Sequence, residues 1–370
     1  MQILRRRLGV FDIVQHHAAC VREPAMKRIS IAVIGAGLIG RTHVDRALKQ
    51  QGFELVGVAD PSEDGRRVAE SAAVAWFSDY DRMLATVKPR AVVVATPNVT
   101  HADIAVHCLG RGAAVLVEKP IADTLADARR ICDASATAAL PALVGHQRRY
   151  NPITRRAKQI VDEGKLGRPV CLTAMSTWFK PAEYFDTQWR RRKGGGPILI
   201  NLIHDIDQVR FLFGDVESVQ AMTSNNIRGF EVEDTAVVLL KFRNGALGTV
   251  TVSDTATAPW NWDLAAGEAE RFPRQDVNSH FLSGTDASLT LPRLEYWHYR
   301  SGKGWHDEIS EERNALHVGD PYAEQLRHFV AVIEGKEQPV CSAADAMRSL
   351  ETTVAVAEAA QSGHPITLTK

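Results

Sequence analysis

The sequence predicts an α/β protein in two parts: a parallel sheet covered by helices on both faces, then a large open, mostly antiparallel sheet. Three observations carry this. From Ile29 to Val144, short β-branched runs alternate with helical spacings, the βαβ pattern. The first run leads directly into Gly35-Ala36-Gly37-Leu38-Ile39-Gly40, and Asp60 closes the next run 20 residues past Gly40. Beyond Pro152, strand-like runs predominate, and Asn244-Gly245 between two of them is a hairpin turn signal. A chain of 370 residues accommodates about two domains. They are expected at 28–150 and 151–370, with the last helices packing back on the first.

The residues before the first strand are basic at their start (Arg5-Arg6-Arg7) and have little periodicity. The basic start is compatible with a targeting segment, but a clear apolar core followed by a small-residue cleavage site is lacking, so the blander reading is preferred. Residues 1–27 are expected to be a disordered extension, or to precede a true start at Met26.

Ile29–Ile34 is too short for a buried helix and rich in β-branched residues, so it reads as a buried strand. In the glycine motif, Gly35 allows a tight turn, Gly37 lets the backbone approach a pyrophosphate, and Gly40 lets helix and strand pack closely. The helix from Ile39 to Leu48 then offers free N–H groups and a partial positive charge. Asp60, ending the strand Glu54–Ala59, can accept hydrogen bonds from both ribose hydroxyls and would repel a 2′-phosphate. NAD is therefore expected over NADP, though Arg66 and Arg67 weaken the preference. A glycine motif alone is weak evidence; between a strand and a helix, with an acid at this distance, it defines a Rossmann dinucleotide site.

Helices follow at Glu63–Ala72 and Tyr80–Thr86. The strand Ala91–Ala95 ends in Thr96-Pro97-Asn98, with His101 a turn later and a helix at Ala102–Leu109. The strand Ala113–Val117 runs into Glu118-Lys119-Pro120. The helix Leu125–Ala138 and strand Ala142–Val144 complete the first part. Ligands gather at the carboxyl ends of such strands, where Gly35, Asp60, Thr96 and Lys119 lie. After the polar crossing Gly145–Pro152 come a helix at Ile153–Glu163 and a strand at Val170–Phe179. A basic loop, Gln188–Gly196, is expected to be mobile, and Ile198–Phe213 is an amphipathic helix closed by Gly214. Strands at Val216–Thr223, Thr235–Phe242, Ala246–Val252 and Ala287–Leu291 form the second sheet, and helices at Tyr322–Glu334 and Ala343–Ala360 close the chain.

Lys+Arg equals Asp+Glu at 44 each, so charge gives no argument for nucleic acid or an anionic membrane as a partner. No apolar run approaches the roughly 20 residues that span a bilayer. Five cysteines, Cys20, Cys108, Cys132, Cys171 and Cys341, are odd in number and scattered, which fits a reducing cytoplasm. No cluster has metal-ligand spacing, so no metal is expected.

Two residues stand out for chemistry. Lys119, before Pro120 at a strand end, is either a surface lysine or a donor that steadies a developing alkoxide. His204, in Asn201-Leu202-Ile203-His204, is either a hydrogen-bonded core histidine or a proton carrier working near neutral pH. Ile200 and Asn201 share its helix face, while Asp205 and Asp207 point elsewhere. The run Trp189-Arg190-Arg191-Arg192-Lys193 is either a solvated loop or a clamp for an anionic substrate. Trp178, Trp260, Trp262, Trp297 and Trp305 can wall a sugar ring or simply pack.

These segments together resemble the Gfo/Idh/MocA family, named for glucose–fructose oxidoreductase and inositol dehydrogenase. The resemblance runs from about Ile29 to the C-terminus, through AVIGAGLIGRTH (32–43), VATPNVTHADIA (94–105), VEKPIADT (117–124), GHQRRYNP (145–152) and GGGPILINLIHDIDQVRFLFG (194–214). It implies an NAD(P)-linked oxidoreductase acting on a secondary alcohol of a sugar, cyclitol or sugar acid, with an open sheet that often forms a dimer or tetramer interface. It implies catalytic roles for Lys119 and His204. It places Gly35–Gly40, Asp60, Thr96, Pro97, Asn98, His101, Glu118, Lys119 and Gln147 by the cofactor. Arg149, Tyr150, Arg190 and Asn201, with Lys119 and His204, are placed by the substrate. Many members carry an aspartate four residues before the histidine, where this chain has Ile200. That departure leaves proton transfer to His204 and Lys119. It also motivates the reading of a non-catalytic dinucleotide-binding sensor, and related folds suggest a third, a redox-assisted lyase or hydrolase that recycles NAD.

Overall fold

The computed structural model describes residues 28–269, 271–314 and 319–369; the expectation for 1–27 lies outside them. The first sheet holds β1 (Ile29–Ile34), β2 (Phe53–Ala59), β3 (Ala75–Phe77), β4 (Ala91–Val94), β5 (Ala114–Glu118) and β6 (Ala142–Gly145). All pairings are parallel, in the order β3-β2-β1-β4-β5-β6. The order reverses between β1 and β4, so their carboxyl ends open a crevice there. Short β3 was not anticipated, because three residues give a period-2 pattern too little length to register.

Helices cover both faces. α1 (Leu38–Lys49), α2 (Glu63–Ser71) and, from far along the chain, α9 (Pro321–Ile333) cover one side, where Val44, Ala47, Ala69, Leu326 and Phe329 meet Ile31 and Val33. α3 (Tyr80–Val87), α4 (His101–Gly110), α5 (Leu125–Ala138) and α10 (Ala343–Ser362) cover the other, with Met83, Ile104, Ile131 and Leu350 against Ile34 and Val92. The last two long helices thus pack on the first sheet, and α10 also packs on the second.

The second sheet has nine strands: β7 (Pro169–Thr177), β8 (Val216–Ser224), β9 (Thr235–Phe242), β10 (Leu247–Ser253), β11 (His280–Gly284), β12 (Ala287–Leu291), β13 (Glu295–Tyr299), β14 (Ile309–Arg313) and β15 (Ile366–Thr367). Their order is β14-β13-β12-β11-β7-β10-β9-β8-β15, and only the β7–β10 pair is parallel. Along β9, Ala236, Val238, Leu240 and Phe242 face inward while Val237, Leu239 and Lys241 face out, the period of a sheet covered on one side. The inner face packs against α6 (Pro152–Asp162) and α7 (Ile203–Phe213). One short helix, α8 (Trp262–Ala265), adds Trp262 to this core.

The helix expected from Ile198 starts as a π-turn, Ile198–Leu202, before continuing as α7 to Gly214, whose φ is +95°. The Gln188–Gly196 loop is not free of contacts: Arg190 and Arg191 donate to the carbonyls of Tyr184 and Phe185, both at 2.6 Å.

Candidate active site

The glycine turn is built to receive a dinucleotide. Gly35 has φ +91°, and a Cβ there would lie 2.5 Å from the Ala95 carbonyl oxygen; a Cβ on Gly40 would lie 1.9 Å from the Gly35 oxygen. Strand ends and helix therefore close up in a way only glycine permits. A Cβ on Gly37 would meet nothing within 4 Å, so that position faces open space. α2, α3 and α5 are capped by Ser62, Asp79 and Thr124, whereas α1 begins at Gly37 with no side-chain cap and no acid in its first turn. Its N–H groups and positive dipole end are left for an anion.

A cleft of about 730 Å³ runs from this turn across the β1/β4 switch point. Gly35, Gly37, Leu38, Ile39, Asp60, Thr96, Pro97, Asn98, His101, Glu118 and Lys119 line it. Ala36 and Gly40 shape the turn instead of lining it; Ala36 N–H donates to Asp60 Oδ2 at 2.7 Å. Asp60 Oδ1 accepts from both the backbone and hydroxyl of Ser62. Burial alone would raise the Asp60 carboxyl, but these bonds hold it below its ordinary range. Arg66 pairs with Glu70 and Arg67 with Asp64. His101 sits 2.9 Å from the carbonyl oxygens of both Pro120 and Thr96, so it braces two ligand-bearing strand ends from beneath.

A second cavity, about 780 Å³, opens between the sheets and shares Ile39, Glu118 and Lys119 with the cleft. Lys119 thus stands where the two meet. Across the cavity are Ile200, Asn201 and His204, presented by the π-turn and the first turn of α7. Among the described residues His204 Nδ1 is buried without a partner, leaving Nε2 to meet the cavity. Burial, then the positive charges of Lys119 and Arg148, push the His204 imidazole well below its ordinary value, so the ring is neutral at pH 7. Burial also lowers Lys119, against the opposing pull of Glu118. Glu118 is occupied: Oε1 lies 2.7 Å from His43 Nε2, and Oε2 accepts the Lys119 N–H. It supports the lysine from a position that lines both the cleft and the cavity.

Several expected site residues lie elsewhere. Arg149 donates twice to Asp207, at 2.8 and 2.7 Å, and also to Asp345, so it ties the end of β6 to α7 and α10. Tyr150 is fully buried against His328. Arg190 stacks on Tyr184 at 3.9 Å and does not line the cavity. The resemblance placed them by the substrate, but buried carboxylates and rings claim these side chains. Gln147 lines the inter-sheet cavity, not the cleft, and donates to Glu268. Of the five tryptophans expected as ring walls, only Trp178 lines this cavity. His146, Asp207 and Cys341 come within 4.8 Å of one another, but Arg149 bonds both Asp207 oxygens, so the cation there is a guanidinium.

Lys180, Asp263, Glu268 and Tyr322 also line the cavity and were not foreseen. A signal for Lys180 existed: Lys180-Pro181 follows a strand just as Lys119-Pro120 does. Glu268 accepts from Gln147, Asn151 and Trp262, a set no sequence spacing reveals.

An uncapped helix at the switch point of a parallel sheet, joined to a cavity holding a lysine and a neutral histidine, defines a dinucleotide-dependent oxidoreductase. The comparisons agree. Residues 29–146 match the oxidoreductase family with NAD-binding Rossmann fold, and residues 154–272 match the GFO/IDH/MocA C-terminal domain. The chain belongs to the Gfo/Idh/MocA oxidoreductase family. It is 26% identical over 354 residues to scyllo-inositol 2-dehydrogenase (NAD(+)) of Bacillus subtilis, covering 92% of this chain and 96% of that one. It is 27% identical over 330 residues to myo-inositol 2-dehydrogenase of Thermotoga maritima, covering 86% and 92%. Among solved structures, the WlbA dehydrogenase of Bordetella pertussis, in complex with NADH and UDP-GlcNAcA, superposes with a TM-score of 0.75 at 26% identity, covering 93% of this chain and 100% of that one.

Proposed function

We propose that the protein moves a hydride between NAD and a secondary alcohol or ketone of a sugar, cyclitol or sugar acid. One observation carries the reading: Lys119 and His204 line one cavity, and that cavity meets the dinucleotide cleft at Lys119. NAD, when bound, supplies the hydride acceptor for oxidation. Gly37 and the first N–H groups of α1 hold its pyrophosphate, and Asp60 its adenosine ribose. The Lys119 ammonium donates to the reacting oxygen and steadies negative charge as the C–H bond breaks. His204 Nε2 takes the hydroxyl proton, a role that requires the neutral ring its burial maintains. Two proton-handling groups at one cavity favour turnover over a silent sensor.

The test is a panel of polyols, aldoses and sugar acids with NAD, read at the NADH absorbance. Lys119→Ala should lose at least about a hundredfold in kcat; full activity in that variant would remove the assigned role. Net NADH formation separates this reading from a redox-assisted lyase.

The open sheet face, with Met222, Val237, Leu239 and Leu247 exposed, is proposed as a homodimer or homotetramer interface. Light scattering that returns a monomer would remove that assignment. No helix among the described residues is long and apolar enough to cross a membrane. A cytoplasmic location is proposed from the free cysteines Cys108, Cys132, Cys171 and Cys341; export of the native chain would contradict it.

A further inference from the structure

The inter-sheet cavity holds a second lysine, Lys180, beside Asn201. Lys180 is 5% exposed and follows β7 through Trp178 and Phe179. Its backbone is fixed: the N–H donates to the Asp254 carbonyl at 2.8 Å, and its carbonyl accepts from Arg228 at 2.8 Å. The side chain lines the cavity beside Trp178, Tyr184 and Asn201.

Among the described residues the ammonium is underpaired. Of its three N–H groups, one donates to Asn201 Oδ1 at 2.6 Å. The nearest carboxylate among the described residues, Asp254, stands 3.8 Å away, outside hydrogen-bond range, and its other oxygen is claimed by Arg228 at 2.8 Å. The rings of Tyr184 and Trp178, at 4.7 and 5.9 Å, favour a cation but accept no ordinary hydrogen bond. Burial pushes this lysine down to about 8; Asp254 opposes the shift, and Arg228 and Arg190 add to it. A charged group this deep, with donors to spare, is a docking point for an anion.

Lys180 is not a second copy of Lys119. Glu118 and Arg148 act on Lys119, while Asp254, Arg228 and Arg190 act on Lys180; only Asp263 acts on both. The two lysines therefore stand in different charged surroundings within one cavity. With its Oδ1 committed to Lys180, the Asn201 amide has its NH₂ left to offer a ligand. Asp254, close behind, disfavours a dianion such as a phosphate. One ammonium and one amide suit a single carboxylate.

We propose that Lys180 binds the carboxylate of a sugar acid whose reacting hydroxyl lies at Lys119. This deepens the reading of the site as a sugar or cyclitol dehydrogenase and rests on it for the reaction, but the binding itself is separately measurable. It also moves the anion site away from the Arg190–Arg192 run, whose side chains lie outside the cavity.

The experiment measures binding by calorimetry to the full-length protein with NADH. Matched pairs are used: D-glucuronate against D-glucose, D-galacturonate against D-galactose, D-gluconate against D-glucitol. At least one acid should bind tenfold or more tighter than its neutral partner at pH 7. That ratio should collapse toward one in Lys180→Met and persist in part in Lys180→Arg. It should also shrink as pH rises past 8 in the parent chain. In Lys119→Ala, turnover should be lost while the acid preference stays, which separates the failure of the catalytic reading from that of this one. Circular dichroism establishes that each variant is folded. Acids binding no tighter than neutral partners, or Lys180→Met keeping the parent ratio, would overturn the proposal.

Discussion

His43 Nε2 lies 2.7 Å from Glu118 Oε1, and the other oxygen of the same buried carboxylate accepts the Lys119 N–H. Burial alone would raise the Glu118 carboxyl, but His43 and Lys119 hold it below its ordinary range. The first helix thereby sets the charge and aim of a lysine one sheet strand away. His43→Ala removes the side-chain partner and leaves one backbone donor. A stability loss of about 1–3 kcal/mol is expected in urea unfolding, together with reduced turnover. Glu118→Gln, which keeps the size and one acceptor, should lose less. An unchanged midpoint in His43→Ala would show the pair to be dispensable.

Asp60 meets the dinucleotide cleft with its carboxylate already fixed by Ala36 and Ser62. Asp60→Ala removes the acceptor proposed for the ribose and the charge expected to repel a 2′-phosphate. The NAD-to-NADP ratio of dissociation constants should shift by about tenfold or more toward NADP. Fluorescence titration with NADH and NADPH measures it, and an unmoved ratio would take the preference away from this residue.

These two predictions use what the sequence displays most openly. The glycine turn and Asp60 are legible because a local motif needs only the chain's own order. His204 with Ile200 and Asn201 is legible because helical spacing puts them on one face. The fates of Arg149 and Tyr150 are not, since they depend on Asp207, Asp345 and His328, which are far away in sequence. Lys180 was passed over because a lysine is ordinarily solvated; only the fold shows it enclosed by Tyr184, Asn201 and Asp254. Strands β11, β13 and β14 were missed because short, partly polar strands are recognised chiefly by their partners.

Stability should fall in mild acid because of buried histidines. Burial brings His146 down to about 4 and His280 to about 3. Their unfolded value is 6.5, so between there and the folded values the unfolded chain holds protons that the folded chain refuses. Lowering the pH through that window favours unfolding by up to about 1.4 kcal/mol per pH unit for each histidine. Asp207 acts lower down. Arg149 overcomes its burial and holds it below the ordinary 3.8, so its contribution is present above that value and is lost only as pH falls through the folded one. Urea midpoints at pH 7.5, 6 and 5 should therefore decline together with pH, and a flat series would contradict the neutral, buried state of these rings.

Ile200 holds the cavity position four residues before His204, where the family resemblance implies an acid. The His204 ring now faces Lys119 and Arg148 as its main charged neighbours, and both disfavour its protonated form. Ile200→Asp places a carboxylate on the same helix face, across the junction of the π-turn and α7. An opposite charge there stabilises the imidazolium, so the ring becomes a stronger base. The acid limb of kcat/KM for alcohol oxidation should move to higher pH by about one unit, and the rate at pH 8 should rise by up to about tenfold, as Brønsted behaviour requires. The enclosed carboxylate should cost about 1–3 kcal/mol of stability, which urea unfolding reads separately. Should the acid limb stay where it was in a folded variant, the base would not be His204.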